Sequence, residues 1–122
     1  MKWELTSDRP IYAQLVEQIT QRIVSGEYRA GDKLPSVRDL AQEAAVNPNT
    51  MQKALAELER SGLVYTQRTA GRYITEDETM LEGIKADLAT QQIIAFFEKM
   101  NQLGFDKDKT IHLIEQTIKG AK

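Results

Sequence analysis

Residues 46–58 constrain the fold of this chain more than any other stretch. Asn47 and Pro48 stand directly before a run of helix-favouring residues. This order is typical of a helix start, because an asparagine side chain caps free N–H groups and proline needs no partner in the first turn. Apolar residues then recur on one face, at Met51, Ala54, Leu55 and Leu58. The sequence therefore predicts an amphipathic helix with a sharp, amide-rich start.

Two more helices are predicted before this one. The first has apolar residues at a four-residue spacing that stacks them on one face, at Ile11, Leu15, Ile19 and Ile23. Asp8 is expected to cap it and Gly26 to end it. Ser36 is expected to cap the second, whose inward side chains are Leu40, Ala41 and Ala44. A tight turn then leads into the helix at Asn47, an order that fits a helix-turn-helix.

Strand-forming residues replace the helical pattern after Gly62. Residues 63–66 and 72–75 are rich in β-branched and aromatic side chains, and a glycine-containing connection separates them. This pattern predicts an antiparallel hairpin with Arg68 in its loop and Arg72 just beyond. Three helices and a hairpin with a basic tip predict a mainly α winged helix-turn-helix domain over residues 1–75.

Residues 76–122 predict a two-helix tail. Acidic residues 76–78 mark the boundary, Gly104 ends the first tail helix and Asp106 caps the second. The apolar surface of these helices exceeds what a small neighbouring domain covers, so we expect burial against a second copy of the chain. The residues expected at this dimer contact are Leu81, Ile84, Leu88, Ile93, Phe96, Phe97, Met100, Ile111, Ile114 and Ile118.

Charge and composition bound the function. The net charge is −2, so bulk charge gives no attraction to nucleic acid. Residues 1–75 carry 10 Lys and Arg against 9 Asp and Glu, whereas residues 76–122 carry 6 against 9. Binding to DNA would therefore need a local basic face. The absence of cysteine excludes disulfides and thiolate chemistry, and with no signal peptide or membrane-length apolar run we expect a cytoplasmic protein.

Catalysis finds little support in the sequence. His112 is the one histidine, and we expect it to be exposed or interfacial. No metal-ligand spacing and no phosphate-binding glycine loop is present, so we predict no enzyme, no cofactor and no metal. Binding of a small-molecule effector stays an open alternative that the sequence does not support, because two helices hardly enclose a pocket of roughly 300 Å³ or more. Phe96, Phe97 and Phe105 could line such a pocket, but packing in a core is the favoured interpretation.

A helix-turn-helix inserts the start of its second helix into the major groove of DNA. The residues expected to contact DNA are Asn47, Asn49, Thr50, Gln52 and Lys53 on that helix, Arg38 on the preceding helix, and Arg68 and Arg72 on the hairpin. Single residues also have structural explanations, such as Asn47 as a cap or Arg38 as an ion-pair partner of Asp39. Their concentration at successive positions of one architecture favours DNA.

Two stretches, GDKLPSVRDLA and VNPNTMQKALAELERSGLV, form a dense pattern within residues 10–74. This pattern closely resembles the DNA-binding domain of GntR-family bacterial transcription regulators, and the short tail resembles the YtrA-like subfamily. The resemblance implies a homodimeric repressor on a palindromic operator, with transporter operons as common targets. By motif position, the family's DNA contacts fall on Arg38, Asn47, Asn49, Thr50, Gln52, Arg68 and Thr69.

The hairpin loop departs from the family pattern. Thr69 stands where the family has the first glycine of a Gly-x-Gly turn, and a positive φ is costly for threonine. Entry of the hairpin into the minor groove is therefore in question, although Arg72 offers a substitute contact to the DNA backbone. The alternative function is a winged-helix adaptor that binds protein and not DNA. The salt dependence of duplex binding distinguishes these two functions, since only a DNA-binding protein loses duplex affinity steeply as the salt concentration rises.

Overall fold

The computed structural model describes residues 2–68 and 70–120. The elements of this part of the chain are α1 (Ile11–Val24), α2 (Val37–Ala44), α3 (Pro48–Arg60), β1 (Val64–Gln67), β2 (Gly71–Ile74), α4 (Glu78–Gln102) and α5 (Lys107–Gly120). They form two compact units, Met1–Lys85 and Ala86–Lys122. The prediction of a mainly α chain with one small β-hairpin is confirmed.

Side-chain caps start three of the helices where the sequence places them. The hydroxyl of Ser36 accepts a hydrogen bond from the N–H of Asp39 at 3.0 Å at the start of α2. The side chain of Asn47 accepts from the N–H of Asn49 at 2.7 Å at the start of α3. Asp106 does the same for α5, accepting from an N–H at 2.8 Å. Each cap satisfies a helical N–H that has no partner within its helix.

The predicted Asp8 cap of α1 is wrong. The residue before α1 is Pro10, with no side-chain cap bond, and the carboxylate of Asp8 instead accepts from the hydroxyl of Thr6. The buried Gln14 holds this region from within the helix. Its side-chain oxygen accepts from the N–H of Thr6 at 2.8 Å, and its nitrogen donates to the carbonyls of Thr6 and Arg9 at 2.8 and 2.9 Å.

Residues 2–9 form an N-terminal strap across α1. Gln18 repeats the pattern of Gln14 one turn along, bonding both the N–H and the carbonyl of Glu4 at 3.0 and 2.6 Å. The guanidinium carbon Cζ of Arg22 lies over the ring of Trp3, 3.9 Å from the ring centroid. Arg22 is only 2% exposed and pairs with Glu27 at 3.1 Å. The strap therefore covers a buried charge and supplies its cation–π partner.

The core of the first unit lies where α1, α2 and α3 meet the hairpin. It contains Leu15, Ile19, Ile23, Leu34, Leu40, Ala41, Ala44, Met51, Ala54, Leu55, Leu58, Leu63, Val64 and Ile74. The apolar faces predicted for the three helices are thus confirmed. The side chains of Met80, Leu81 and Ile84, on the first turns of α4, also pack against this core. The first unit therefore continues past residue 75, and the domain boundary proposed there stays a prediction.

Strands β1 and β2 form an antiparallel hairpin, which we call the wing, and its register pairs Thr66 with Arg72. The strands lie one residue nearer the tip than predicted. A flanking segment, residues 31–34, pairs with the outer edge of β2. The N–H of Leu34 donates to the carbonyl of Arg72 at 2.9 Å, and the N–H of Ile74 donates to the carbonyl of Asp32 at 2.8 Å. The wing is therefore joined to the segment that leads into α2.

In the second unit, the later part of α4 and α5 leave many apolar side chains exposed. Thr110 is the buried residue that α5 contributes. Phe96 and Phe97 pack edge to face with ring centroids 5.8 Å apart, and His112 is exposed. Gly104, with φ +95°, ends the turn after α4 as predicted. Within the described residues, no helix combines the length and apolar character needed to cross a membrane.

Candidate nucleic-acid interface

The start of α3, which we call the recognition helix, presents its polar tip to solvent. Asn47, Asn49, Gln52 and Lys53 are exposed, and Thr50 is half-buried. The cap uses the side-chain oxygen of Asn47, so this residue presents its amide nitrogen as a donor outside the helix. Apolar residues hold the other face of α3 against α1 and α2. The tip is thus rigid and carries groups that hydrogen-bond to base edges and phosphates.

The ammonium group of Lys53 lies 3.8 Å from the ring centroid of Tyr12 on α1. This cation–π contact holds the lysine side chain toward α1. The expected contact of Lys53 with a guanine or with the DNA backbone stays a prediction. Tyr12 was missed because nothing local in the sequence links residues on two different helices.

An open groove of about 870 Å³ lies between the start of α2 and the wing. Its lining includes three basic side chains, Lys33, Arg38 and Arg72, and the acidic Asp39. Arg38 is exposed on the first turn of α2. Lys33 and Arg38 give this groove local positive charge, which a DNA-binding face needs in a chain of negative net charge. Lys33 was missed by sequence reasoning, although it stands within the stretch GDKLPSVRDLA.

The wing tip carries Arg68, which is exposed. Gly71 has φ +101°, and a Cβ atom at that position would lie 3.2 Å from Cε of Lys33. Glycine at this position therefore permits both the turn and the close approach of Lys33. Thr69, expected at the DNA, lies outside the described residues, so the wing's entry into the minor groove stays a prediction.

Arg72 is engaged within the protein. Its Nε donates to Oε1 of Glu59, near the end of the recognition helix. The same oxygen accepts from the hydroxyl of Thr66 at 2.7 Å. The hydrogen bond from Thr66, with the neighbouring guanidinium of Arg72, holds the pKa of Glu59 below its usual value. Glu59 was missed because its partners lie on two strands that only folding brings together.

Three helices, a wing, a polar helix tip and a basic groove define a winged helix-turn-helix DNA-binding protein. A family model described as "Bacterial regulatory proteins, gntR family" matches residues 11–74. The chain belongs to the GntR family of bacterial transcription regulators. Its fold and its relatives are those of regulators and not of enzymes. Across residues 2–68 and 70–120, no group of three or more His, Asp or Glu side chains is placed to hold a metal ion.

Similarity to curated proteins extends over nearly the whole chain. The HTH-type transcriptional regulator YhcF of Bacillus subtilis (strain 168), itself uncharacterized, is 38% identical over 118 residues, which cover 97% of this chain and 98% of that protein. The HTH-type transcriptional repressor YtrA of the same organism is 38% identical over 121 residues, covering 95% and 92%. The similarity therefore includes the short tail as well as the winged domain.

Solved structures agree with this assignment. A GntR family transcriptional regulator from Listeria monocytogenes has a TM-score of 0.83 and 44% identity, covering 92% of this chain and 98% of that chain. AraR(DBD), solved in complex with operator ORR3, has a TM-score of 0.51 and 28% identity, covering 62% and 93%. The matched part of this chain thus shares its fold with AraR(DBD), which was solved on an operator.

Proposed function

We propose that this protein is a cytoplasmic repressor that binds a palindromic operator as a homodimer. The proposal goes beyond DNA binding and membership of the family, which the preceding comparisons establish. Its central observation is the exposed, amide-rich tip of the recognition helix, flanked by the basic groove at Arg38. Repression follows from occupying a promoter. The family resemblance and the relative named repressor support this direction, and the resemblance adds transporter operons as targets.

The tail supports the homodimer. On α4 and α5, within the described part of the chain, large apolar side chains are exposed at Ile93, Ile94, Phe96, Leu103, Ile111, Leu113 and Ile118. Several of these are the residues expected at the dimer contact. A single chain leaves this surface in water, and pairing two copies would bury it. Leu81 and Ile84 differ, since they pack against the core of the first unit.

A selection experiment tests the proposal. The purified protein is incubated with a pool of random duplexes, and the bound sequences are amplified and read. We expect an inverted repeat whose half-sites are about 10 base pairs apart, because two-fold protein symmetry places two recognition helices in successive major grooves. Enrichment of a single asymmetric site, or of no sequence, would contradict the proposal. Affinity for the selected duplex should fall steeply with salt, which a protein-binding adaptor would not show.

Arg38→Ala should weaken binding to the selected operator by about 1–3 kcal/mol if Arg38 reads a base edge. Arg38 is exposed and lines the groove without a role in the core. Arg60→Ala is the matched control, because Arg60 is also an exposed arginine and pairs with Glu57 at the far end of α3. Both variants lose one positive charge. Equal affinities for the two variants would remove Arg38 from the interface.

A further inference from the structure

A single carboxylate oxygen joins the recognition helix to both strands of the wing. Oε1 of Glu59 accepts from the hydroxyl of Thr66 on β1 and from Nε of Arg72 on β2. Thr66 and Arg72 are directly opposite each other in the register of the hairpin. One side chain of α3 therefore holds both members of a cross-strand pair of the wing, Thr66 and Arg72, which we call the rung.

The same rung forms one wall of the basic groove. Thr66 and Arg72 line it together with Arg38. The side chain of Arg72 is 20% exposed, so its guanidinium is partly buried, with Nε directed at Glu59. The carbonyl of Arg72 also accepts from the N–H of Leu34, just before α2. Bonds at this rung therefore link the wing to α3 and to the segment that leads into α2.

We propose that Glu59 is a positioning residue for DNA binding: it fixes the wing, and Arg72 with it, relative to the recognition helix. An acidic side chain near DNA would by itself repel phosphate. The hydrogen bonds of Glu59 offset this repulsion, because they hold the wing in position for DNA. A rigid wing lets the tip of α3 and the wing meet the same duplex without a further ordering cost on binding. This inference rests on the operator binding of the proposed function.

The test compares affinity for the selected operator with affinity for a random duplex, using the full chain. Glu59→Ala removes a negative charge and so strengthens binding to every duplex, which is why the ratio of the two affinities is measured. We expect this ratio to fall about tenfold, the order of effect of losing one hydrogen bond. Hydrogen exchange at the backbone amides of β1 and β2 in the free protein should become faster in the same variant.

Glu57→Ala is the matched control. Glu57 lies on the same helix with a similar side-chain exposure, 36% against 32% for Glu59, and it pairs with Arg60 at 3.0 Å instead of with the wing. It should leave both the ratio and the exchange unchanged. Glu59→Gln keeps an acceptor oxygen without the charge and should preserve most of the ratio. Thermal unfolding of each variant verifies that the measured protein is folded.

The outcomes separate this inference from the proposed function. If Glu59→Ala and Glu57→Ala show the same ratio of operator affinity to random-duplex affinity, Glu59 does not position the wing for DNA. If Glu59→Gln loses as much as Glu59→Ala, the negative charge acts and the hydrogen bonds do not, which also overturns the inference. A wild-type protein that prefers no duplex refutes the proposed function, and the positioning role falls with it. A preference that survives in Glu59→Ala refutes the positioning role alone.

Discussion

The double variant Ile93→Glu, Ile118→Glu should be monomeric and should bind the operator about 100- to 10,000-fold more weakly than the wild-type protein. The two isoleucines are 55% and 66% exposed in the single chain, so the subunit's own fold loses little from the change. In the proposed dimer, the same change buries carboxylates in an apolar contact, which is strongly unfavourable. A monomer then holds one half-site and loses the tethering of the second.

Sedimentation and an operator titration at fixed salt measure the two effects. The control is Gln91→Glu, Gln116→Glu, which adds the same charges to α4 and α5. These glutamines are exposed and lie two residues from Ile93 and Ile118, about 200° around each helix from the isoleucine that is changed. The control protein should remain dimeric and bind normally. An isoleucine variant that still sediments as a dimer would remove this face from the interface.

Leu55→Ala should lower the free energy of unfolding by about 2–5 kcal/mol. Leu55 is 1% exposed on the inner face of α3, a helix that packs against both α1 and α2. The substitution leaves a cavity that the surrounding helices cannot fully close. The protein therefore loses van der Waals contacts around the cavity in addition to buried apolar surface. A loss of this size is a large part of the stability of a typical small domain.

Urea unfolding followed by circular dichroism measures this change. Gln52→Ala is the control, one turn earlier on the same helix but exposed. Its stability should change by less than about 0.5 kcal/mol, because it removes no buried contact. Its operator binding should weaken instead, if Gln52 reads a base. A Leu55→Ala protein as stable as the control would show that α3 is not fixed by its inner face.

Local signals in the sequence carried the prediction of the helices. Asn47 with Pro48, and Ser36 with the residues that follow, are start signals whose physics involves only neighbouring residues. The apolar stripe of α3 identified its buried face, because helical geometry alone determines which residues share a side. The structure confirms all of these. The fold of the winged domain could therefore be predicted almost entirely from short-range patterns.

Contacts between elements could not be predicted in the same way. Asp8 has the residue type of a cap, but the hydroxyl of Thr6 is its partner in the folded strap. The contacts of Tyr12 with Lys53 and of Glu59 with Arg72 join residues that are far apart in the sequence. No periodicity reports such pairs, since they depend on how helices and strands pack. Residue type therefore suggested candidate DNA contacts such as Lys53 and Arg72, but gave no sign of Tyr12 and Glu59, which hold them in the folded chain.

The flanking segment along β2 has a consequence for solubility. A two-stranded hairpin would normally offer two rows of unpaired backbone groups to other chains, and such edges promote association between sheets. Here residues 31–34 occupy one of those rows through bonds to the backbone of Arg72 and Ile74. The other row belongs to β1, which is only four residues long. A regulator concentrated on DNA thus presents little template for unwanted aggregation.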